Sequence, residues 1–174
     1  MPTLAAASPF PQTDVPSLGG QTLSLGRPRA GHDWQMVVVY RGLHCPKCKD
    51  YLAKLQELEA AYNELGVDVV TVSGDPQEKA QAFAEEKSLT LAVGYDLSVA
   101  QMQSLGLYIS EPRSPQETDR PFAEPALFVI NETGAIQIVD VSNAPFARPD
   151  LESLLGGIKF VRANDYPVRG TYQG

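Results

Sequence analysis

The chain has 174 residues, 43% of them hydrophobic and 20% charged, which describes a globular protein and excludes a disordered one. Fourteen Lys and Arg stand against 21 Asp and Glu, a net charge of −7, so there is no electrostatic reason to bind nucleic acid or an anionic membrane surface. The two cysteines, Cys45 and Cys48, are too few and too close for a secreted disulfide scaffold; they leave redox work or half of a metal site.

Residues 1–20 carry Pro2, Pro9, Pro11, Pro16 and Gly19-Gly20 and read as tail or loop. Met1 to Gln12 has no basic n-region and no long apolar core, so no secretory signal is expected. No run is long enough to span a bilayer, and the expected location is cytoplasmic. Gln21 to Leu25 alternates as a short strand does. Gln35 to Tyr40 is a continuous apolar, β-branched run, the pattern of a strand buried on both faces. From Pro46 to Leu65, apolar residues recur at Leu52, Leu55, Leu58, Tyr62 and Leu65, which predicts an amphipathic helix ended by Gly66. Val67 to Val72 is the next buried strand. Asp75 then reads as the cap of a helix with Pro76 first and Glu78 third, running to about Lys87.

Leu89 to Tyr95 is a weak strand and Leu97 to Leu105 a short helix. Residues 110–124, with Pro112, Pro115 and Pro121, read as an excursion or lid-like loop. Ala126 to Ile130, the turn Asn131 to Gly134 and Ala135 to Val139 predict a hairpin. Pro149 to Phe160 is the last helix. The order alternates early and ends on antiparallel strands, which predicts an α/β protein with a mixed central sheet and helices on both faces. Residues 1–174 read as a single domain with flexible ends at about 1–14 and 163–174.

The Cys45-Pro46-Lys47-Cys48 motif follows a buried strand and opens a helix. Open α/β sheets place their sites at that end of the strands. Free N–H groups and the positive end of the helix dipole stabilise a thiolate there. Lys47 lies between the cysteines and Arg41 four residues before the first, and either could add positive charge. One thiol can attack and its neighbour, one turn away, can resolve the product. A tetrahedral zinc site needs four ligands, and only His32 and His44 could join the cysteines, so neither metal nor cofactor is expected. His44 either tunes the thiol beside it or faces solvent. Trp34 reads as a packing residue. Asp75, Glu78, Glu85 and Glu86 read as caps and solvated surface.

Val39-Tyr-Arg-Gly-Leu-His-Cys-Pro-Lys-Cys48 and the helix after it resemble the active-site segment of the alkyl hydroperoxide reductase/thiol-specific antioxidant (AhpC/TSA) superfamily, and more narrowly its peroxiredoxin-like members with Cys-Pro-x-Cys. Val70 to Asp75 with Phe83-Ala-Glu, Tyr95-Asp96 through Leu105-Gly106, and Phe128 to Gly134 agree in order, over about residues 15–160. The resemblance implies a thioredoxin-like fold and a thiol-dependent oxidoreductase whose Cys45/Cys48 pair reduces peroxides or protein disulfides. It also implies a thioredoxin-type or low-molecular-weight thiol reductant and leaves a homodimer open. A non-catalytic binding domain, acting through residues 110–124, and a redox sensor remain alternatives.

Two departures stand out. Where typical peroxiredoxins carry an arginine before the late hairpin strand, this chain has Pro125, which resembles the cis-proline of thioredoxins. Where they carry a threonine three residues before the peroxidatic cysteine, it has Cys45. Cys45, Cys48, Arg41 and Pro125 are therefore the candidate catalytic residues, with Arg120 nearby. Peroxide reduction slower than in arginine-bearing peroxiredoxins is expected. The family register places the peroxidatic cysteine at Cys48, but helix electrostatics and the following Pro46 favour Cys45, so Cys45 is expected to attack and Cys48 to resolve.

Overall fold

The computed structural model describes residues 4–172, and the outermost parts of the two ends expected to be flexible lie outside the described residues. Its centre is a five-stranded sheet in which four strands run one way and one runs against them. Strand β3 (Trp34–Val39) lies in the middle. On one side it pairs in parallel with β4 (Val67–Val72), which pairs in parallel with β5 (Ala92–Gly94). On the other side it pairs antiparallel with β8 (Ala126–Ile130), and β8 with the edge strand β9 (Ile136–Val141). Helices α1 (Pro46–Glu64), α2 (Gln77–Glu86), α3 (Val99–Ser104) and α4 (Leu151–Ala163) complete the main elements. This is the mixed sheet that the element order predicts, in the thioredoxin-like arrangement that the resemblance implies.

Alternation along β3 sends Met36, Val38 and Tyr40 to one face and Val37 and Val39 to the other, and all five are buried. The first face packs on Leu52, Leu55 and Tyr62 of α1, Phe83 of α2 and Leu151 and Ile158 of α4. The second is covered by α3 and by a hairpin of β1 (Thr13–Pro16) and β2 (Thr22–Leu25). β1 lies inside the segment read as tail. Its buried Thr13 and Val15 alternate with exposed Asp14 and Pro16, and the prolines mask that pattern in composition. Further toward the N-terminus, Ala7 donates to the Ile136 carbonyl and Phe10 to the Gly134 carbonyl, so this stretch runs along the start of β9.

Residues 110–124 are not wholly loop. β6 (Ile109–Ser110) and β7 (Phe122–Ala123) close the excursion as a short antiparallel ladder. α3 starts on a capping box, with Ser98 Oγ accepting from Gln101 N–H and Gln101 returning a bond to Ser98. α2 starts on Pro76 with no side-chain cap, so Asp75 does not cap it. Its carboxylate has a partner outside the helix.

The connections place the site. β3 ends at Val39, opposite Ala126 at the start of β8, and Ala126 lies opposite Val141 at the end of β9. The loop leading into α1 and the loop leading into α4 therefore leave from the same end of the sheet, about 100 residues apart in sequence.

Candidate active site

Cys45 is the N-cap of α1, in extended conformation, and Pro46 occupies the first turn, where its missing N–H is no loss. Cys45 and Cys48 are joined as a disulfide with Cα atoms 5.3 Å apart. The Cys48 backbone N–H donates to Cys45 Sγ at 3.2 Å. In the reduced protein that donor and the helix dipole would act on Cys45. Both residues are almost wholly buried, Cys45 at 1% exposure and Cys48 at 0%. A small oxidant can approach such sulfurs more readily than a polypeptide can.

The cation at the pair is Arg148, in the loop between β9 and α4. Its Nη2 donates to Cys48 Sγ at 2.7 Å. The guanidinium lies over the Tyr51 ring, 4.8 Å from the centroid, and Tyr51 Oη donates to the Pro149 carbonyl at 2.8 Å. A residue of α1 thus anchors the loop that carries the arginine. Burial disfavours the charged guanidinium and pushes its pKa down to about 10, which leaves it protonated at neutral pH. Nε and Nη1 of Arg148 are buried and have no partner. Donors left open beside a sulfur fit an oxygen that arrives with substrate.

Sequence reasoning does not find Arg148. The available signal is topological: a hairpin returns the chain to the cysteine end of the sheet, and the residues before the last helix are Ala147-Arg148-Pro149.

The other candidates sit as follows. Arg41 turns to the 111–124 segment, with Nε 3.4 Å from Glu124 and Nη2 3.7 Å from Glu117, and it stacks 4.7 Å from the Phe122 centroid. Glu124 is itself buried and accepts from Ser110 Oγ. Arg120 pairs with Asp119 and Asp96. Lys47 is exposed. Pro125 stands just before β8, where a proline gives up no ladder donor, and its carbonyl accepts from Ser142 N–H. The cis expectation is corrected: no described peptide bond is cis, so Glu124–Pro125 is trans and leads straight into the extended strand. Pro125 shares a small cavity of about 10 Å³ with Tyr51 and Arg148. Trp34 is a packing residue, its indole N–H donating to Glu132 at 2.6 Å.

His44 packs edge-on to Phe122 with both ring nitrogens buried and unpartnered. Burial first, then the nearby Arg41 charge, lower its pKa to about 4, so its ring is neutral at physiological pH. Asp75, 3% exposed, accepts the Leu43 backbone N–H on Oδ2 at 2.7 Å. Gly42 lies against it with φ +134°, and a Cβ there would stand 2.6 Å from Asp75 Oδ1.

The AhpC/TSA family pattern matches residues 6–139. No curated protein sequence matches the chain. Among solved structures the chain is similar to a peroxiredoxin-like protein from Aquifex aeolicus, with TM-score 0.76, 22% identity, and 92% of this chain and 90% of that one covered. It is also similar to a mutant of peroxiredoxin 6 from Arenicola marina, with TM-score 0.75, 17% identity and coverage of 90% and 72%. A third is peroxidoxin BcpB from Mycobacterium tuberculosis, with TM-score 0.72, 16% identity and coverage of 91% and 98%. No helix among the described residues is long and apolar enough to cross a membrane.

Proposed function

Because the chain belongs to the AhpC/TSA family, we propose that it is a dithiol peroxidase in which Cys48 attacks the peroxide, Cys45 resolves, and Arg148 supplies the charge. Thiol-dependent oxidoreduction with a cysteine pair follows from the family. The observation that carries the assignment of roles is the 2.7 Å contact between Arg148 Nη2 and Cys48 Sγ.

Two effects compete for the low-pKa thiol. A helix N-terminus is worth about 0.3–1 kcal/mol to an anion, and up to about 2 in partly buried geometry. A hydrogen bond from a full charge contributes about 1.5–3 kcal/mol. At about 1.4 kcal/mol per pKa unit, the guanidinium would hold the Cys48 thiol about 1–2 units below its usual value, more than the cap does for Cys45. The family register, which also names Cys48, agrees.

The steps then balance. The Cys48 thiolate attacks the terminal peroxide oxygen; the O–O bond breaks as the S–O bond forms. The leaving hydroxide or alkoxide takes a proton, giving water or alcohol and Cys48 sulfenic acid. Arg148 Nε and Nη1 are the donors available to the developing oxyanion. The Cys45 thiol displaces water from the sulfenic acid and closes the disulfide. An external dithiol, for which a thioredoxin-type protein or a small thiol is the natural class, reduces it again. Solved structures that this chain is similar to are peroxiredoxins, which supports a peroxide as the oxidant. A cytoplasmic setting fits a pair that must be cyclically reduced.

Stopped-flow mixing of reduced protein with hydrogen peroxide tests the assignment. Cys45→Ser should still consume one peroxide per chain and stop at sulfenic acid, whereas Cys48→Ser should consume peroxide slowly or not at all. The opposite pattern would reverse the roles, and no peroxide-driven oxidation in the native protein would remove the peroxidase reading.

A further inference from the structure

We propose that Asp75 is a positioning residue for the dithiol, its carboxylate fixing the Gly42-Leu43 turn from which Cys45 hangs. The proposal deepens the reading of Cys45 as the resolving thiol and rests on it.

A continuous set of bonds links the carboxylate to the sulfur. Asp75 Oδ2 accepts Leu43 N–H at 2.7 Å. In the same turn, Gly42 C=O accepts Cys45 N–H at 3.1 Å. The Cys45 carbonyl accepts from Cys48 and Lys49 N–H at 3.1 and 3.2 Å, and Cys45 Sγ accepts from Cys48 N–H. Asp75 therefore holds the turn, the turn holds the Cys45 backbone, and that backbone sets Sγ on the helix cap. The fit is tight on the other side as well. Gly42 adopts φ +134°, and an ideal Cβ on it would stand 2.6 and 2.7 Å from the two carboxylate oxygens. Only a residue without a side chain lets the backbone approach this closely.

The carboxylate is placed by its own backbone: Asp75 N–H donates to Ser73 Oγ at 3.3 Å and its carbonyl accepts Asp96 N–H at 2.8 Å. Asp75 is not used in helix capping, and nothing else in the proposed reaction needs it. Its pKa is raised, chiefly by burial, against the stabilising Leu43 bond. The groups that face it are Lys79 on α2, Arg120 and Asp119 of the 111–121 excursion, and Tyr40 at the end of β3. His44 lies in the same loop and stays neutral down to about pH 4. The two cations favour the ionised carboxylate, while Asp119 opposes it.

The test compares Asp75→Ala and Asp75→Asn with the native protein in two readouts that need no peroxide. The first is the equilibrium of the Cys45–Cys48 disulfide with dithiothreitol at pH 7. Asp75→Ala should make the disulfide about tenfold easier to reduce, about 30 mV for this two-electron couple. Asp75→Asn, which keeps an oxygen to accept Leu43 N–H, should stay within about threefold of native. The second is the Leu43 amide resonance. It should titrate in the native protein with a midpoint above the ordinary Asp value of 3.8 and lose that titration in Asp75→Asn.

If Asp75→Ala does not fold, the Asn variant and Gly42→Ala decide, the latter being expected to match the Ala phenotype because its Cβ meets the carboxylate and pushes the turn off it while Asp75 itself is kept. A native-like equilibrium in Asp75→Ala or Gly42→Ala, equal damage in the Asn and Ala variants, or a Leu43 amide indifferent to pH would each overturn the proposal. Failure to consume peroxide with these shifts intact would instead remove the peroxidase reading and leave the positioning role standing.

Discussion

Replacing Arg148 by alanine is the sharpest test of the site, because the change acts on the sulfur and on the loop in opposite directions. In the disulfide form the guanidinium sits 2.7 Å from Cys48 Sγ, and it keeps its charge at neutral pH, so it is placed to act on the Cys48 thiolate once the pair is reduced. Loss of about 1.5–3 kcal/mol of charge-assisted bonding raises the Cys48 thiol pKa by about 1–2 units, toward the free value of about 8.5. At pH 7 the thiolate fraction then falls by about tenfold or more. Stability should move less. Arg148 is a half-buried cation with two nitrogens buried and unpartnered, so removing it relieves a desolvation cost while giving up its stacking on Tyr51. The assay is the rate of iodoacetamide alkylation against pH in Cys45→Ser and in Cys45→Ser/Arg148→Ala, with urea unfolding in parallel. The midpoint of the rate profile should rise by about 1–2 pH units in the double variant, with at most about 1 kcal/mol lost in unfolding. An unshifted midpoint would refute the electrostatic argument, as would a depressed thiol pKa at Cys45 in Cys48→Ser.

Arg41→Ala should separate structure from catalysis. It leaves buried Glu124 without its cation and should cost about 2–4 kcal/mol by urea unfolding, while peroxide consumption per folded molecule stays within about threefold of native. Leu55→Ala, at a position of 0% exposure between α1 and the sheet, should cost about 2–5 kcal/mol in the same experiment without altering thiol reactivity. The pH dependence has a definite sign at His44. Its folded pKa of about 4 lies below the ordinary 6.5, so the unfolded chain binds the extra proton first and stability falls as pH drops from about 6.5 to 4. Thermal unfolding of His44→Asn should show a smaller loss over that window, and an identical loss would assign it to other groups.

The strand–cysteine–helix unit is legible in the sequence because each part has its own period. The apolar run of β3 and the three- and four-residue spacing of Leu52, Leu55 and Tyr62 need no tertiary information. β1 is not legible, since Pro11 and Pro16 read as loop even though Thr13 and Val15 face the core. Asp75 shows why a local rule can point the wrong way. Asp-Pro followed by Glu78 is a capping pattern, but the carboxylate instead takes the Leu43 amide, 32 residues earlier in the chain. A buried N–H left unpaired costs more than an exposed helix end left to water, so the tertiary partner wins.

The site departs from the family pattern at one position and keeps its charge by the same preference for a tertiary partner. Pro125 removes the arginine from the strand beside the cysteines, and Arg41, which could stand in from the α1 loop, is taken up by Glu117 and Glu124. A thiolate buried to 0% exposure without a cation would be driven back to the thiol by desolvation. The requirement is for a charge at one point in space, not at one point in sequence. The β8–β9 hairpin meets it by returning the chain to the same end of the sheet, where Tyr51 of α1 holds Pro149 and flattens the Arg148 guanidinium against its ring. The helix that carries Cys48 thus also orients the residue that charges it. A Tyr51→Leu change, which loses the hydroxyl bond to Pro149, should raise the Cys48 thiol pKa in the direction of Arg148→Ala but by less, because the guanidinium would remain nearby with its orientation loosened.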